Sequence, residues 1–284
     1  MQIKKVGVIG AGVIGTSIAI DLVLHSFQVV LIDISEAALD KARNEFTKGI
    51  RFAPLLNKSL KSIDLEEALG NIMFSMDLNE LASCNIIIEN TPEVYELKEE
   101  LYKKLDSICE PDICFGVNTS CVSITKIAGV TKRQDKVIGM HFMNPSYLKQ
   151  HIEVIKGFNT SEETINHITE FLSAIKKVPI IVNDLPGFVS NRVSHLFMNE
   201  AAFVVQDQVA TPEKVDMIFK ECFGHKMGPL ETADLIGLDT VVNSLDILYK
   251  SYQDPKFRCC PLLRKMVEAN LLGRKSGRGF YNYS

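Results

Sequence analysis

The chain has no long apolar run, no block of basic residues, no internal repeat and no low-complexity segment. Each absence removes a class of function. A bilayer-spanning helix needs roughly 20 consecutive apolar residues, so none is expected. The net charge is −4, from 31 Lys+Arg against 35 Asp+Glu, and without a basic stretch neither nucleic acid nor an anionic membrane is an expected partner. Pairing signatures are missing among the cysteines too. The seven (Cys84, Cys109, Cys114, Cys121, Cys222, Cys259 and Cys260) are odd in number and none has C-x-x-C spacing. That argues against a disulfide framework or a zinc site, so no metal is expected, and it fits a reducing cytoplasm. Cys121 beside Ser120 has no sequence neighbour that would activate a thiol nucleophile. The first strand is expected close behind Met1, leaving no room for a signal peptide, and the expected location is the cytoplasm.

What is present is ordinary in bulk and specific in detail. With 284 residues, 46% hydrophobic and 23% charged, the chain has the length for one large or two ordinary domains. Its start carries the strongest signal. A short apolar run (Val6, Val8, Ile9) leads directly into Gly10-Ala11-Gly12-Val13-Ile14-Gly15, a G-x-G-x-x-G turn. Apolar positions at helical spacing follow over 16–26, then a second buried strand over Gln28–Ile32 that ends in Asp33. Gly10 lets the chain turn off the strand, Gly12 lets a pyrophosphate approach the backbone, and Gly15 lets helix and sheet pack closely. The helix N-terminus offers N–H groups to that pyrophosphate. Asp33 stands 18 residues beyond Gly15, where a carboxylate accepts bonds from ribose hydroxyls and repels a 2′-phosphate. The cofactor expected is therefore NAD.

Further along, helices are expected at 36–52, 65–69, 93–108, 123–128 and 161–175. Strands are expected at 72–75, 84–89, 113–117, 137–140, 152–155 and 179–182. The alternation predicts an α/β fold of Rossmann type, a doubly wound, mostly parallel sheet with helices on both faces. Leu97, Leu101 and Leu105 are expected to form the buried stripe of their helix. From Pro186-Gly187, a natural hinge, strand signals nearly vanish. Helices at 187–205, 211–219, 236–252 and 259–269 predict an all-helical C-terminal domain, with Thr211-Pro212 as N-cap and first turn. The expected domains are 1–185 for NAD and 186–284 for the substrate cleft and for dimerisation, since the helices at 187–205 and 236–252 carry more apolar residues than a small bundle needs.

Four side chains stand out beyond the cofactor motif: Ser120, His141, Glu153 and Asn191. Ser120 and His141 each follow an apolar strand, and in an open parallel sheet those strand ends form the ligand crevice. Glu153, after a short polar loop, is placed to fold back towards His141. His25, His167, His195 and His225 lack such a setting and read as core histidines.

These motifs, in this order, resemble the 3-hydroxyacyl-CoA dehydrogenase family, in particular its short bacterial 3-hydroxybutyryl-CoA members. The likeness spans nearly the whole chain: Gly10–Gly15, Asn118-Thr-Ser120, His141-Phe-x-Asn-Pro145, Glu153-Val-Ile, Pro186-Gly-Phe-Val-x-Asn-Arg192, Met227-Gly-Pro-Leu-Glu231 through Asp239, and Leu272-Gly-Arg-Lys-Ser-Gly-Arg-Gly-Phe-Tyr281. The resemblance implies an NAD-dependent oxidoreductase of acyl thioester (fatty acid) metabolism that interconverts 3-hydroxyacyl and 3-oxoacyl groups. It implies His141 as general base, Glu153 as its orienting carboxylate, and Ser120 and Asn191 as hydrogen-bonding partners of the substrate. By the same likeness Glu93, Lys98, Ser120, Asn144 and Lys275 contact NAD, and the protein is a homodimer. Glu231 and Asp234 are expected to serve structure or a dimer contact.

The chain departs from the family pattern in places. Pro-Val-Met-Lys-like residues become Ser146-Tyr-Leu-Lys149, with His151 close by, and the lysine-rich run near 45–65 is dispersed to Lys48, Arg51 and Lys58. The usual Glu-Ala-x-x-Glu becomes Glu89-Asn-Thr-Pro-Glu93. The substrate expected is an acyl-CoA thioester. The alternative is a more polar hydroxyacyl group on an acyl carrier protein, as relatives in polyketide pathways use. A non-catalytic NAD-binding relative is the alternative of another class.

Overall fold

The opening strand–turn–helix lies at the centre of a wound sheet. The structure is a computed structural model describing residues 4–283, and the chain divides into two compact units after Leu185. In the first unit, eight strands form one sheet: β1 (Lys5–Ile9), β2 (Gln28–Ile32), β3 (Ile72–Ser75), β4 (Ile86–Glu89), β5 (Cys114–Val117), β6 (Val137–His141), β7 (His151–Lys156) and β8 (Val178–Asn183). Their spatial order is 3-2-1-4-5-6-7-8. All neighbours run parallel except β6 and β7. Winding goes outward from β1 to β3 and then restarts at β4 beside β1. That reversal leaves a crevice at the carboxyl ends of β1 and β4.

The apolar strand runs become buried because helices cover the sheet. These are α1 (Val13–Leu24), α2 (Glu36–Leu56), α3 (Leu65–Gly70), α4 (Tyr95–Ile108), α5 (Ile124–Ala128) and α6 (Glu162–Ala174). Gly15 through Leu24 of α1 are all buried. Ser35, Asp64, Ser123 and Ser161 cap α2, α3, α5 and α6 through their side chains. The core joins Val8, Ile18, Leu22, Leu31, Leu39, Phe46 and Ile138 with Phe171 and Leu172.

Two expectations change here. Helix α2 runs one turn past the expected end, through Pro54. Pro54 forgoes the hydrogen bond to the Ile50 carbonyl, while buried Ile50 and Ala53 keep this end of the helix on the core and it continues to Leu56. On α4 the buried face is Lys98, Tyr102 and Leu105, while Leu97 is 52% exposed. Four-residue spacing drifts around a helix of 3.6 residues per turn, and a buried partner for Lys98 decides which side faces inward.

The second unit is helical among its described residues: α7 (Ser190–Gln206), α8 (Pro212–Met217), α9 (Pro229–Ile236), α10 (Leu238–Tyr252) and α11 (Pro261–Glu268). Helix α8 continues into a π-helical turn, Ile218–Cys222. Thr211 and Pro212 open α8 as expected, although the Thr211 side chain makes no cap bond. Its core contains Met198, Ala202, Leu230, Leu238, Leu245 and Leu263. Helix α9 was not expected. Gly237, at φ +105°, separates it from α10, a conformation that L side chains rarely adopt.

Two buried acids organise this unit. Asp216 accepts the N–H groups of Leu230 (2.9 Å) and Glu231 (2.8 Å) and the hydroxyl of Tyr281 (2.7 Å). Asp234 accepts the N–H groups of Phe280 and Tyr281 and the hydroxyl of Tyr283, each at 3.0 Å. Burial outweighs those donors and lifts Asp234 above the usual carboxylate range. Glu231 pairs with Lys220 at 2.8 Å. The four histidines read as core residues divide: His195 is buried, His25 and His167 are half-buried, and His225 is exposed against the Phe197 and Phe219 rings. His225 is therefore not a core residue, because the π turn holds the aromatic cluster at the surface.

Candidate active site

The glycine turn is shaped by two collisions and one opening. Gly10 has φ +91°, and a Cβ there would meet the Asn90 carbonyl at 2.8 Å. A Cβ on Gly15 would lie 1.9 Å from the Gly10 carbonyl oxygen, so only glycine permits this helix start. Around Gly12 nothing lies within 4 Å of the same position. Helix α1 begins there with no side-chain cap and no acid in its first turn, leaving its N–H groups to an anion. Val13 is exposed and Ile14 half-buried against the core. The Asp33 carboxylate accepts the Ala11 N–H at 2.8 Å and the Ser35 N–H at 3.0 Å, which aims it over the turn. An open Gly12, uncapped N–H groups and a fixed carboxylate fit a dinucleotide with free ribose hydroxyls.

A cavity of about 580 Å³ opens beside this turn. Gly12, Thr16, Lys48, Phe52, Asn144 and Tyr147 are among its lining residues.

The His141 and Glu153 side chains come together through strand register. Strand β6 ends at His141, and the antiparallel β7 sets Glu153 directly opposite it. His141 Nδ1 is 3.0 Å from Glu153 Oε2, and His141 Nε2 is 3.2 Å from Ser120 Oγ. A carboxylate only accepts, so Nδ1 carries the proton and the neutral ring keeps its lone pair on Nε2. Both side chains are largely buried, where the contact is less screened by water. Ser120, just beyond β5, has its N–H held by Glu93, which also accepts the Thr119 hydroxyl at 2.6 Å. Asn118 Nδ2 donates to Asn90 at 2.7 Å, and its carbonyl accepts the Phe142 N–H at 3.1 Å. Polar residues at adjacent strand ends thus tie the turns after β4, β5 and β6 together.

Lys98 is placed differently from the cofactor contact that the resemblance implies. Its side chain has no exposed surface; it donates to both Glu89 oxygens (2.8 and 2.9 Å) and to the Thr91 carbonyl (3.1 Å). Tyr102 donates to Glu89 from the same side at 3.3 Å. A buried ammonium offers a dinucleotide no surface; it fastens the 90–93 turn from behind. Asn144 is exposed at the cavity wall. Asn191 and Lys275 belong to the helical unit. Asn191 lies in the first turn of α7, its main-chain carbonyl accepting from His195 Nδ1 at 2.9 Å, and Lys275 pairs with Asp239. Sequence reading gives Glu89, Asn90, Asn118 and Thr119 no role of their own, although the quoted motifs contain them. Their one signal was position, as polar residues closing apolar strands.

Comparison with known proteins agrees with this geometry. Residues 5–185 match the model of the 3-hydroxyacyl-CoA dehydrogenase NAD-binding domain, and residues 187–283 match that of the same family's C-terminal domain. A probable 3-hydroxybutyryl-CoA dehydrogenase of Deinococcus radiodurans is 43% identical, covering 98% of this chain and 100% of its own. A probable 3-hydroxybutyryl-CoA dehydrogenase of Bacillus subtilis is 41% identical over 100% of this chain and 98% of its own. The crystal structure of (S)-3-hydroxybutyryl-CoA dehydrogenase from Ralstonia eutropha superposes with a TM-score of 0.93 at 39% identity, over the full length of both chains. The chain belongs to the 3-hydroxyacyl-CoA dehydrogenase family, with an NAD-binding domain followed by the family's C-terminal domain.

Proposed function

We propose that this protein interconverts short 3-hydroxyacyl-CoA and 3-oxoacyl-CoA thioesters, with His141 and Glu153 as the proton-transfer couple. The Ser120–His141–Glu153 chain of hydrogen bonds, at 3.2 and 3.0 Å, carries the reading. NAD, when bound, supplies the hydride acceptor for C3. His141 Nε2 takes the proton of the 3-hydroxyl, and the imidazolium that results is held by Glu153 through Nδ1–H. In the opposite direction the same nitrogen returns the proton to the 3-oxygen. Ser120 Oγ, already bonded to Nε2, steers the substrate oxygen onto the same line. Asn191 holds the substrate, and Gly10 through Gly15, Asp33, Glu93, Asn144 and Lys275 hold the cofactor. The helical unit, with exposed Val193, Met217 and Ile236, suits a homodimer, and an odd number of cysteines without C-x-x-C spacing suits the cytoplasm.

A pure binding protein needs no base beside a carboxylate, so His141→Gln separates catalysis from binding. It is expected to lower kcat with acetoacetyl-CoA and NADH by roughly 10²- to 10⁴-fold, with NADH affinity within a few-fold of wild type. Retained turnover would remove His141 from the mechanism. Screening acetoacetyl-CoA against carrier-linked 3-oxoacyl groups fixes the thioester. Turnover confined to the carrier-linked substrate would favour the polyketide-type alternative, which the dispersed lysines of 45–65 motivate.

A further inference from the structure

Behind the cavity, a buried polar cluster fastens the β6–β7 connection to α1, and the proton-transfer reading makes no use of it. Ser146 donates its N–H to Ser17 Oγ at 2.7 Å and its hydroxyl to Asp21 Oδ2 at 2.6 Å. Lys177, one residue before β8, brings Nζ to 2.6 Å from the same Asp21 oxygen. It also donates to the carbonyls of Ser146 (2.8 Å) and Lys149 (2.9 Å). Asp21, Ser146 and Lys177 are 1%, 1% and 6% exposed. A second tie reaches the same connection from α2, where Asn57 Nδ2 donates to the Tyr147 carbonyl at 3.3 Å.

Burying an ammonium and a carboxylate is costly, and apolar side chains often fill such space at lower cost. A charged cluster adds direction: each donor reaches its acceptor in one arrangement only. The position matters as well. Helix α1 carries the glycine turn at one end and Asp21 further along. The connection over 142–150 leaves β6 at His141 and enters β7, which holds Glu153. Asn144 and Tyr147 of this connection line the cavity together with Gly12 and Thr16. The cluster therefore joins the element that starts at the pyrophosphate turn to the hairpin that holds the acid–base couple. Ser146 also stands where the family pattern has a second proline, and a proline has neither the N–H for Ser17 nor the hydroxyl for Asp21.

We propose that Asp21, Ser146 and Lys177 are positioning residues, a buried clamp that sets the His141–Glu153 hairpin in register with the cofactor turn. The inference rests on the dehydrogenase reading. Ser146→Ala keeps the N–H bond to Ser17 and leaves the fold intact, so it is the primary test, with Asp21→Asn as the stronger variant. In the purified full chain, Ser146→Ala is expected to lower kcat roughly 10-fold, as a small misplacement of reacting groups does. The acetoacetyl-CoA KM stays within twofold, and the NADH Kd, read by fluorescence titration, rises several-fold. Ser146→Thr, which keeps the hydroxyl, restores most of the loss. Variants with a lowered Tm but wild-type kcat, KM and Kd would show a cluster that only stabilises the fold, and the proposal falls. Wild-type protein that binds NADH but leaves acetoacetyl-CoA unreduced would overturn the substrate reading instead, and the Kd values of the variants would still judge the clamp.

Discussion

Burial pushes the thiols of Cys84, Cys109 and Cys259 up to about 12, 11 and 11. Cys222, at the end of the π turn, is the exposed one of the seven. A disulfide reagent such as DTNB at pH 8 is expected to label one thiol quickly in the native protein and seven in guanidinium. Replacing Cys222 by Ser should abolish the fast phase; a second fast thiol would contradict the packing around the six buried cysteines. The sequence held no means of ranking these cysteines, since a thiol's reactivity depends on what surrounds it. His141 was legible because position carried the information. It ends an apolar strand, and a carboxylate follows within one hairpin. Lys98 shows the converse, since nothing local marks it for burial. A lysine on an amphipathic helix reads as solvated or ligand-facing, and only the approach of Glu89 from a neighbouring element accounts for its burial.

The strand–turn–helix shows how far local pattern reaches at the level of an element. Its three glycines have different structural causes, and substitution should separate them. Gly15→Ala places a methyl 1.9 Å from the Gly10 carbonyl oxygen, so the turn must distort. The expected outcome is a Tm lowered by several degrees, or insoluble protein, together with lost NADH binding. At Gly12 the space is open, so Gly12→Ala should keep the wild-type Tm while NADH affinity drops at least 10-fold, because the methyl occupies the pyrophosphate's path. Equal loss of Tm in both variants would refute this division. The helices of the second unit were harder to place. Gly237 at φ +105° and the fold-back of the C-terminal tail onto Asp234 make α9 a separate helix, and neither leaves a periodic trace.

For the molecule as a whole, stability against acid is tied to the clamp. Burial alone would raise the Asp21 carboxyl, but His25, Lys177 and Ser146 together hold it below its ordinary value of 3.8. A carboxyl with a depressed folded value adds stability above its unfolded value and loses it as pH falls through the folded one. At pH 7, Asp21→Asn leaves Lys177 buried without its counter-charge, which costs about 3–5 kcal/mol. Urea midpoints of wild type and Asp21→Asn should therefore differ widely at neutral pH and converge below about pH 4. A gap that stays constant down to pH 3 would mean that Asp21 does not titrate with folding. By itself the sequence determined the α/β architecture and the NAD turn and singled out His141 and Glu153 as candidates, because strand runs, glycine sterics and strand-end positions are local or nearly so. Tertiary structure alone decided that Glu153 faces His141 through antiparallel register, that Lys98 turns inward, and that Asp21, Ser146 and Lys177 meet. Those contacts join residues far apart in the chain, and their partners are set by how strands and helices dock.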